Sequence, residues 1–208
     1  MPQLSLFEST DSILADDERG RIAYTPRFVG AGVAQAWFAE LRAVVSWKAE
    51  RRRMYDREVD VPRLTAHFHL AADESEDSAV PSAIVQAAQH VIAKTGVPFN
   101  SVGLNLYRGG RDSVAPHNDH LDVLVEGFPI ALVSLGATRR MTIRAKERPR
   151  RVLHVDLEGG SLLVMSYATQ LHYTHGIPKT AEPVGERISL AFRVKPASES
   201  GVRSDPYR

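Results

Sequence analysis

Imidazole, carboxylate and guanidinium groups recur in this chain at spacings that suggest shared chemistry. His117-Asn118-Asp119 places a His and an Asp two residues apart, and in an extended chain such residues share one face. Those two groups are two of the three ligands in the facial triad that holds ferrous iron in oxygenases. The same spacing recurs at His120 and Asp122 and at His154 and Asp156. Spacing alone therefore also fits a hydrogen-bonded surface pair. Context separates the three. Asn105 and Tyr107 lie upstream of His117 on one strand face, and His175 lies downstream in Tyr173-Thr174-His175-Gly176. In Arg187-Ile188-Ser189-Leu190-Ala191-Phe192-Arg193, both arginines, Ser189 and Ala191 point one way and the three large apolar residues the other. Two guanidinium groups on one face of such a strand are costly to bury unless anions meet them. A small dicarboxylate such as 2-oxoglutarate matches their fork geometry. The chain's own Asp or Glu side chains would serve as well.

The elements that must carry these groups follow from patterning. With 208 residues the chain fits one domain with an ample core. Lys and Arg total 26 against 25 Asp and Glu, a net charge of +1, which excludes a wholly basic coat but not a local basic face. The absence of cysteine excludes disulfide scaffolds, thiolate metal sites and cysteine nucleophiles. No run approaches about 18 apolar residues, and no basic-then-apolar leader opens the chain, so a soluble cytoplasmic protein is expected. Apolar residues from Val33 to Trp47 and from Ile84 to Ile92 recur at helical spacing, the second run opening at Pro81 and stopping near Gly96. A strand over Ile22–Val29, set at a sheet edge by Pro26, and a β-like stretch through Val59, Val61, Leu64 and Phe68 accompany them. Beyond Phe99, β-rich runs at 102–107, 130–135, 141–144, 152–157, 161–165 and 187–194 alternate with glycine turns. A mainly β sandwich or barrel with two helices packed outside is expected. A flexible arm over residues 1–20, a domain over 21–196 and a disordered tail over 197–208 complete the organisation.

Asn-x-Tyr, His-x-Asp, His and Arg-x5-Arg occur in one order, and the pattern resembles the AlkB family of Fe(II)- and 2-oxoglutarate-dependent dioxygenases. The likeness is carried by Asn105 to Asp112 (NLYRGGRD), Pro116 to Asp119 (PHND), Pro129 to Thr138, Gly160 to Met165, His175 to Pro178 (HGIP) and Arg187 to Arg193. The resemblance implies a double-stranded β-helix, or jelly roll, with the metal at its mouth. It implies that His117, Asp119 and His175 are the iron ligands, with His172 a rival to His175. It implies that Arg187 and Tyr107 hold the distal carboxylate of 2-oxoglutarate, and that Asn105, Ser189 and Arg193 complete the cosubstrate pocket. His154 and Asp156 match no functional position of the family and read as structural.

The activity so implied is oxidative demethylation of alkylated bases in DNA or RNA by a monomer. Decarboxylation of 2-oxoglutarate by Fe(II) and O2 is coupled there to hydroxylation of an N-alkyl group, with aldehyde release. For the substrate, the basic run Arg139 to Arg151 together with Arg51, Arg52, Arg53 and Arg63 is a candidate phosphate-contacting face. Tyr55, His67, Phe68 and His69 are candidate aromatic platforms, and Arg139, Arg140, His120 and Asp122 candidate substrate contacts. His120-Leu121 stands where repair members of the family usually carry acidic residues. Two other expectations remain open: the same chemistry on a protein side chain or small molecule, and a non-catalytic β-sandwich that binds metal or nucleic acid.

Overall fold

The computed structural model describes residues 11–54, 57–70 and 80–196, with backbone alone at 51–54 and 57–60. In chain order the elements are β1 (Ser12–Asp17), β2 (Gly20–Thr25), α1 (Ala31–Val44), β3 (Lys48–Met54), β4 (Arg57–His69) and α2 (Ser82–Thr95). There follow β5 (Ser101–Tyr107), β6 (Val114–His117), β7 (Ile130–Gly136), β8 (Arg139–Ala145), β9 (Val152–Leu157), β10 (Ser161–Met165), α3 (Tyr167–His172), β11 (Tyr173–Ile177) and β12 (Arg187–Arg193). An eight-stranded sheet runs β1-β2-β10-β7-β12-β5-β4-β3 and a four-stranded sheet runs β6-β11-β8-β9, all strand pairs antiparallel. This is the mainly β architecture with helices outside that the residue pattern predicts, in the jelly-roll form that the resemblance implies.

Alternation along the large sheet divides two cores. Val102, Leu104, Leu106, Ala131, Val133, Leu135, Ile188, Leu190 and Phe192 pack outward against α1 and α2. The helices answer with Trp37 and Leu41 from α1 and Ile84, Ala87 and Val91 from α2. Each fully buried Leu, Ile or Phe side chain contributes about 2 kcal/mol, so the helices brace the sheet strongly. Gly96, at φ +70°, ends α2 in the left-handed conformation expected of a C-terminal glycine. The opposite faces of the same strands look into the space between the sheets, where Leu132, Leu163, Met165 and Ala191 meet Met141, Ile143, Val155, Leu157, Tyr173 and Ile177 of the small sheet. Arg187, Ser189, Arg193, Asn105 and Tyr107 share this inward side by the same period.

Several local expectations are corrected. Within the segment expected to be a flexible arm, Ser12–Asp17 pairs with β2; residues 1–10, and the tail beyond 196, lie outside the described residues. β2 is not an edge strand, because β1 covers it and Pro26 falls just past its end. β3, β6, β11 and α3 were not expected as elements. β6 and β11 are short, and Pro116 and Gly176 interrupt any alternation of apolar residues. Among the described residues no helix is long and apolar enough to cross a membrane.

Candidate active site

The two short strands that sequence patterning missed are the ones that assemble the site. β6 and β11 pair so that His117 lies directly across from His175, and their rings stand 4.5 Å apart between centroids. Gly176 permits this approach. A Cβ there would lie 2.8 Å from the carbonyl oxygen of Val114, so only glycine lets β6 come in against β11. Asp119 is not on β6, as strand alternation required, but just past its end. Its Oδ1 lies 4.0 Å from His117 Nε2. One ligand atom from each of His117, Asp119 and His175 lies within 4.8 Å of the others. His172, at the end of α3, is not in the group.

The surroundings prepare these groups as ligands. His117 Nδ1 stands 2.9 Å from the carbonyl oxygen of Ala115; a carbonyl only accepts, so Nδ1 carries the proton and Nε2 keeps its lone pair. Burial pushes the His117 imidazole down from its ordinary range. Burial, reinforced by His117, pushes His175 to about 4. Both rings are neutral, as metal binding requires. Burial alone would raise the Asp119 carboxyl, but the Arg193 guanidinium, and then both imidazoles, outweigh it and hold the acid at about 2. Arg193 Nε donates to Asp119 Oδ2 at 2.7 Å, leaving Oδ1 toward the histidines. The Asp119 N–H donates to Gln170 Oε1 at 2.9 Å. Gln170 is itself 1% exposed, and Lys146 Nζ caps its carbonyl at 2.9 Å. No residue pattern pointed to Gln170, because its role depends on where α3 docks.

Deeper between the sheets lies Arg187, fully buried. Its Nη2 donates to Ser134 Oγ at 2.7 Å, whereas Nε and Nη1 meet no hydrogen-bond acceptor among the described residues. The ring of Tyr107 meets the guanidinium at 5.1 Å. A buried guanidinium with two unsatisfied N–H groups is a site for an anion. Asn105 and Ser189 bridge the interval toward Arg193: Asn105 Nδ2 reaches Ser189 Oγ at 3.5 Å, and its Oδ1 accepts from Arg63 Nε at 2.6 Å. The donor set therefore fits a ferrous ion with a dicarboxylate keto acid beside it: two neutral imidazoles and a carboxylate at the mouth, a bare guanidinium at the floor. Of the two arginines, Arg193 met one of the chain's own carboxylates and Arg187 met none.

The expected substrate contacts fare unevenly. Arg63 reaches the site through Asn105. Arg139 does not lie on a nucleic-acid face. It is 3% exposed and donates to the carbonyl oxygens of Gly109, Asp112 and Pro178 at 2.8–3.0 Å, with Tyr107 5.6 Å from its guanidinium. Arg140 points to the outer side of the small sheet and pairs with Asp156 at 2.8 Å. His154 lies on that outer side opposite Thr142, so the third His-x-Asp pair stands away from the His117, Asp119 and His175 group. Phe68 packs toward the helices and not into the site. His67 and His69 alternate with it and face inward. His120 and Asp122 are exposed beside a single 3-10 turn, 3.9 Å apart. Tyr55 lies outside the described residues.

Comparison with known proteins agrees with this geometry. Residues 21–193 match the model of the 2OG-Fe(II) oxygenase superfamily. The chain is 32% identical over 187 residues to the alpha-ketoglutarate-dependent dioxygenase alkB homolog 3 of Bos taurus, covering 83% of this chain and 65% of that protein. It is 30% identical to the Rattus norvegicus homolog 3, covering 89% and 68%. It is 38% identical over 111 residues to the DNA oxidative demethylase ALKBH2 of Homo sapiens, covering 50% and 42%. The chain thus spans two thirds or less of most of these relatives. The solved structure of OsALKBH1 superposes with a TM-score of 0.59 at 13% identity, covering 88% of this chain and all of that one, a likeness of fold.

Proposed function

Since the chain belongs to the AlkB family of the 2OG-Fe(II) oxygenase superfamily, we propose that it removes N-alkyl groups from nucleic-acid bases. In this reading His117, Asp119 and His175 hold ferrous iron, and Arg187 with Ser134 and Tyr107 holds the far carboxylate of 2-oxoglutarate. Asn105, Ser189 and Arg193 line the interval between them. The observation that carries it is the inward face of β12 and β5, which sets an unsatisfied buried guanidinium below a His-Asp-His group. The names of the relatives, one of them a DNA oxidative demethylase, support the substrate class.

Iron, 2-oxoglutarate and O2 together supply hydroxylation of a C–H bond coupled to decarboxylation to succinate; a hydroxylated N-methyl group breaks down to formaldehyde and free base. The protein binds and orients. His117 Nδ1–H, held by Ala115, keeps the Nε2 lone pair free, the atom that would bind the ion. Arg193 and Gln170 fix Asp119 from opposite sides, one at the carboxylate and one at the backbone. Arg187 sets the depth at which a dicarboxylate stops. The apolar side chains between the sheets exclude water from the reacting atoms.

The test is formaldehyde release from a panel of N-methylated nucleotides in DNA and RNA, with Fe(II) and 2-oxoglutarate supplied. Release from at least one, lost in His117→Ala and Asp119→Ala but kept in His154→Ala, is the expected result. Turnover confined to a protein side chain or small molecule overturns the substrate half. The burial of Arg139 and the pairing of Arg140 favour that second reading, because they withdraw two residues from the expected basic face.

A further inference from the structure

Beyond Arg193 the rim of the site holds a group of nitrogen donors that the reading above leaves unused. Two residues past Arg193 and beyond the end of β12, Lys195 turns its ammonium toward β4. The period of β4 brings His67 and His69 to the inward side, across β5 from Arg193. Lys195 Nζ lies 3.3 Å from His67 Nε2, which is also 2.9 Å from Ser101 Oγ. The rings of His67 and His69 meet edge to face at 4.9 Å. Asn100 grips the lysine backbone on both sides: its Oδ1 accepts from Lys195 N at 2.8 Å and its Nδ2 donates to Lys195 O at 2.8 Å. The ammonium thus stands on a fixed support.

An ammonium only donates, so the shared His67 Nε2 accepts and the ring proton sits on Nδ1. Burial first, and then Lys195, His69 and Arg193, keep His67 neutral by lowering it to about 4. Burial, and then Arg193, push the Lys195 ammonium below its usual range against the opposing pull of Asp119. Among the described residues no carboxylate lies within ion-pairing distance of Lys195, whereas Arg193 beside it holds Asp119. A half-buried ammonium next to another cation, with one proton given to a neutral imidazole and two left to donate, is stabilised by a singly charged oxyanion.

On the demethylase reading above, we propose that Lys195, positioned by His67, forms a seat for a phosphodiester oxygen next to the target base. The seat stands on the same sheet face as the guanidinium that holds Asp119, so a phosphate bound there places the attached nucleotide over the iron ligands. The phosphate contact so assigned is on the large sheet, not on the basic run of the small one.

The experiment compares 1-methyladenosine with its 3′- and 5′-monophosphates as substrates of the iron-loaded enzyme. At least one monophosphate is expected to exceed the nucleoside in kcat/KM by roughly tenfold. In Lys195→Met that ratio falls toward one, in His67→Gln it falls partway, and in Lys195→Arg it is retained. A second readout is binding of a fluorescent methylated trinucleotide to the manganese-loaded protein without O2. Its salt slope, log Kd against log salt, is expected to fall by about 0.7 in Lys195→Met. A wild-type ratio near one, or a ratio and slope unmoved by Lys195→Met, overturns the seat while leaving the demethylase reading intact. Aldehyde from none of the three substrates, and from no methylated oligonucleotide, overturns that reading and the seat with it.

Discussion

Arg187 and Arg193 occupy the same face of one strand six residues apart, yet the fold gives them opposite tasks. At the mouth, Arg193 meets Asp119 at 2.7 Å and is neutralised within the protein. At the floor, Arg187 is fully buried with two N–H groups unsatisfied, and its neutralisation waits for a ligand. A buried cation paired internally supports the fold, whereas one left bare costs stability until an anion arrives. The strand therefore carries one structural and one receptive guanidinium, and mutation separates them.

The largest expected effect is at the floor. On the function proposed above, Arg187→Met removes the receptor for the distal carboxylate and should raise KM for 2-oxoglutarate by two orders of magnitude or about 3 kcal/mol. The same variant should raise the melting temperature of the ligand-free protein, because an apolar side chain replaces an uncompensated buried charge, a gain of about 1–4 kcal/mol. Arg193→Met should do the reverse to stability, lowering the melting temperature by leaving Asp119 buried and unpaired. Calorimetry with and without 2-oxoglutarate reads both signs. Two variants that move stability in the same direction would erase the distinction.

Acid sharpens the contrast at the mouth. The unfolded chain takes up the His175 proton from pH 6.5 downward, while burial, with His117, delays it in the folded chain to about 4. The unfolded state binds more protons in that window, so the stability of the metal-free protein falls as pH drops from 6.5 to about 4. Asp119 works in the adjoining window. Its folded value of about 2 lies below the ordinary 3.8, so its contribution is present above pH 3.8 and lost as pH falls toward 2. Melting curves from pH 7 to 2 check this: His175→Gln should make the upper window shallower, with His67 and His117 keeping part of the slope, and should narrow the lower one, because His175 helps hold Asp119 down. An unchanged slope above pH 4 would mean the imidazole is not held neutral.

A smaller effect is expected where α3 meets Asp119. Gln170→Met keeps the volume of the side chain but removes the acceptor for the Asp119 N–H. Metal affinity, titrated with Mn(II), should fall by about tenfold, the scale of a supporting contact to a ligand. Wild-type affinity would show that Arg193 alone fixes the carboxylate.

What could be read from the sequence follows from how local each cause is. The helix opening near Pro81 and ending at Gly96, and strands such as 152–157 and 161–165, are written in period and punctuation, and alternation correctly put Arg187 and Arg193 on one face. β6 and β11 are four and five residues long with Pro116 and Gly176 inside them, too short for any period to register. Alternation also misplaced Asp119, because β6 stops at His117. Partners were the least accessible. Asp119 stands 74 residues from Arg193, Gln170 51 residues from Asp119, and only packing brings them together. Residue counting likewise made Arg139 a surface cation, whereas three backbone carbonyls draw its guanidinium inside.

The smallest expected effect closes the comparison on the other sheet. Arg140 and Asp156 form a bidentate pair, 2.8 and 2.9 Å, on the outer side of β8 and β9, both about half exposed. An exposed pair of this kind adds little to stability and weakens with salt. Arg140→Gln should therefore shift the melting temperature by no more than a few degrees. If phosphate is met on the large sheet at Lys195, the same substitution should leave kcat/KM for a methylated oligonucleotide within about twofold of wild type. If the small sheet is the phosphate track, the loss should exceed that and should grow as salt is lowered, because a phosphate contact at Arg140 is strongest at low ionic strength. Kinetics at two salt concentrations decide which of the two sheets carries the nucleic acid.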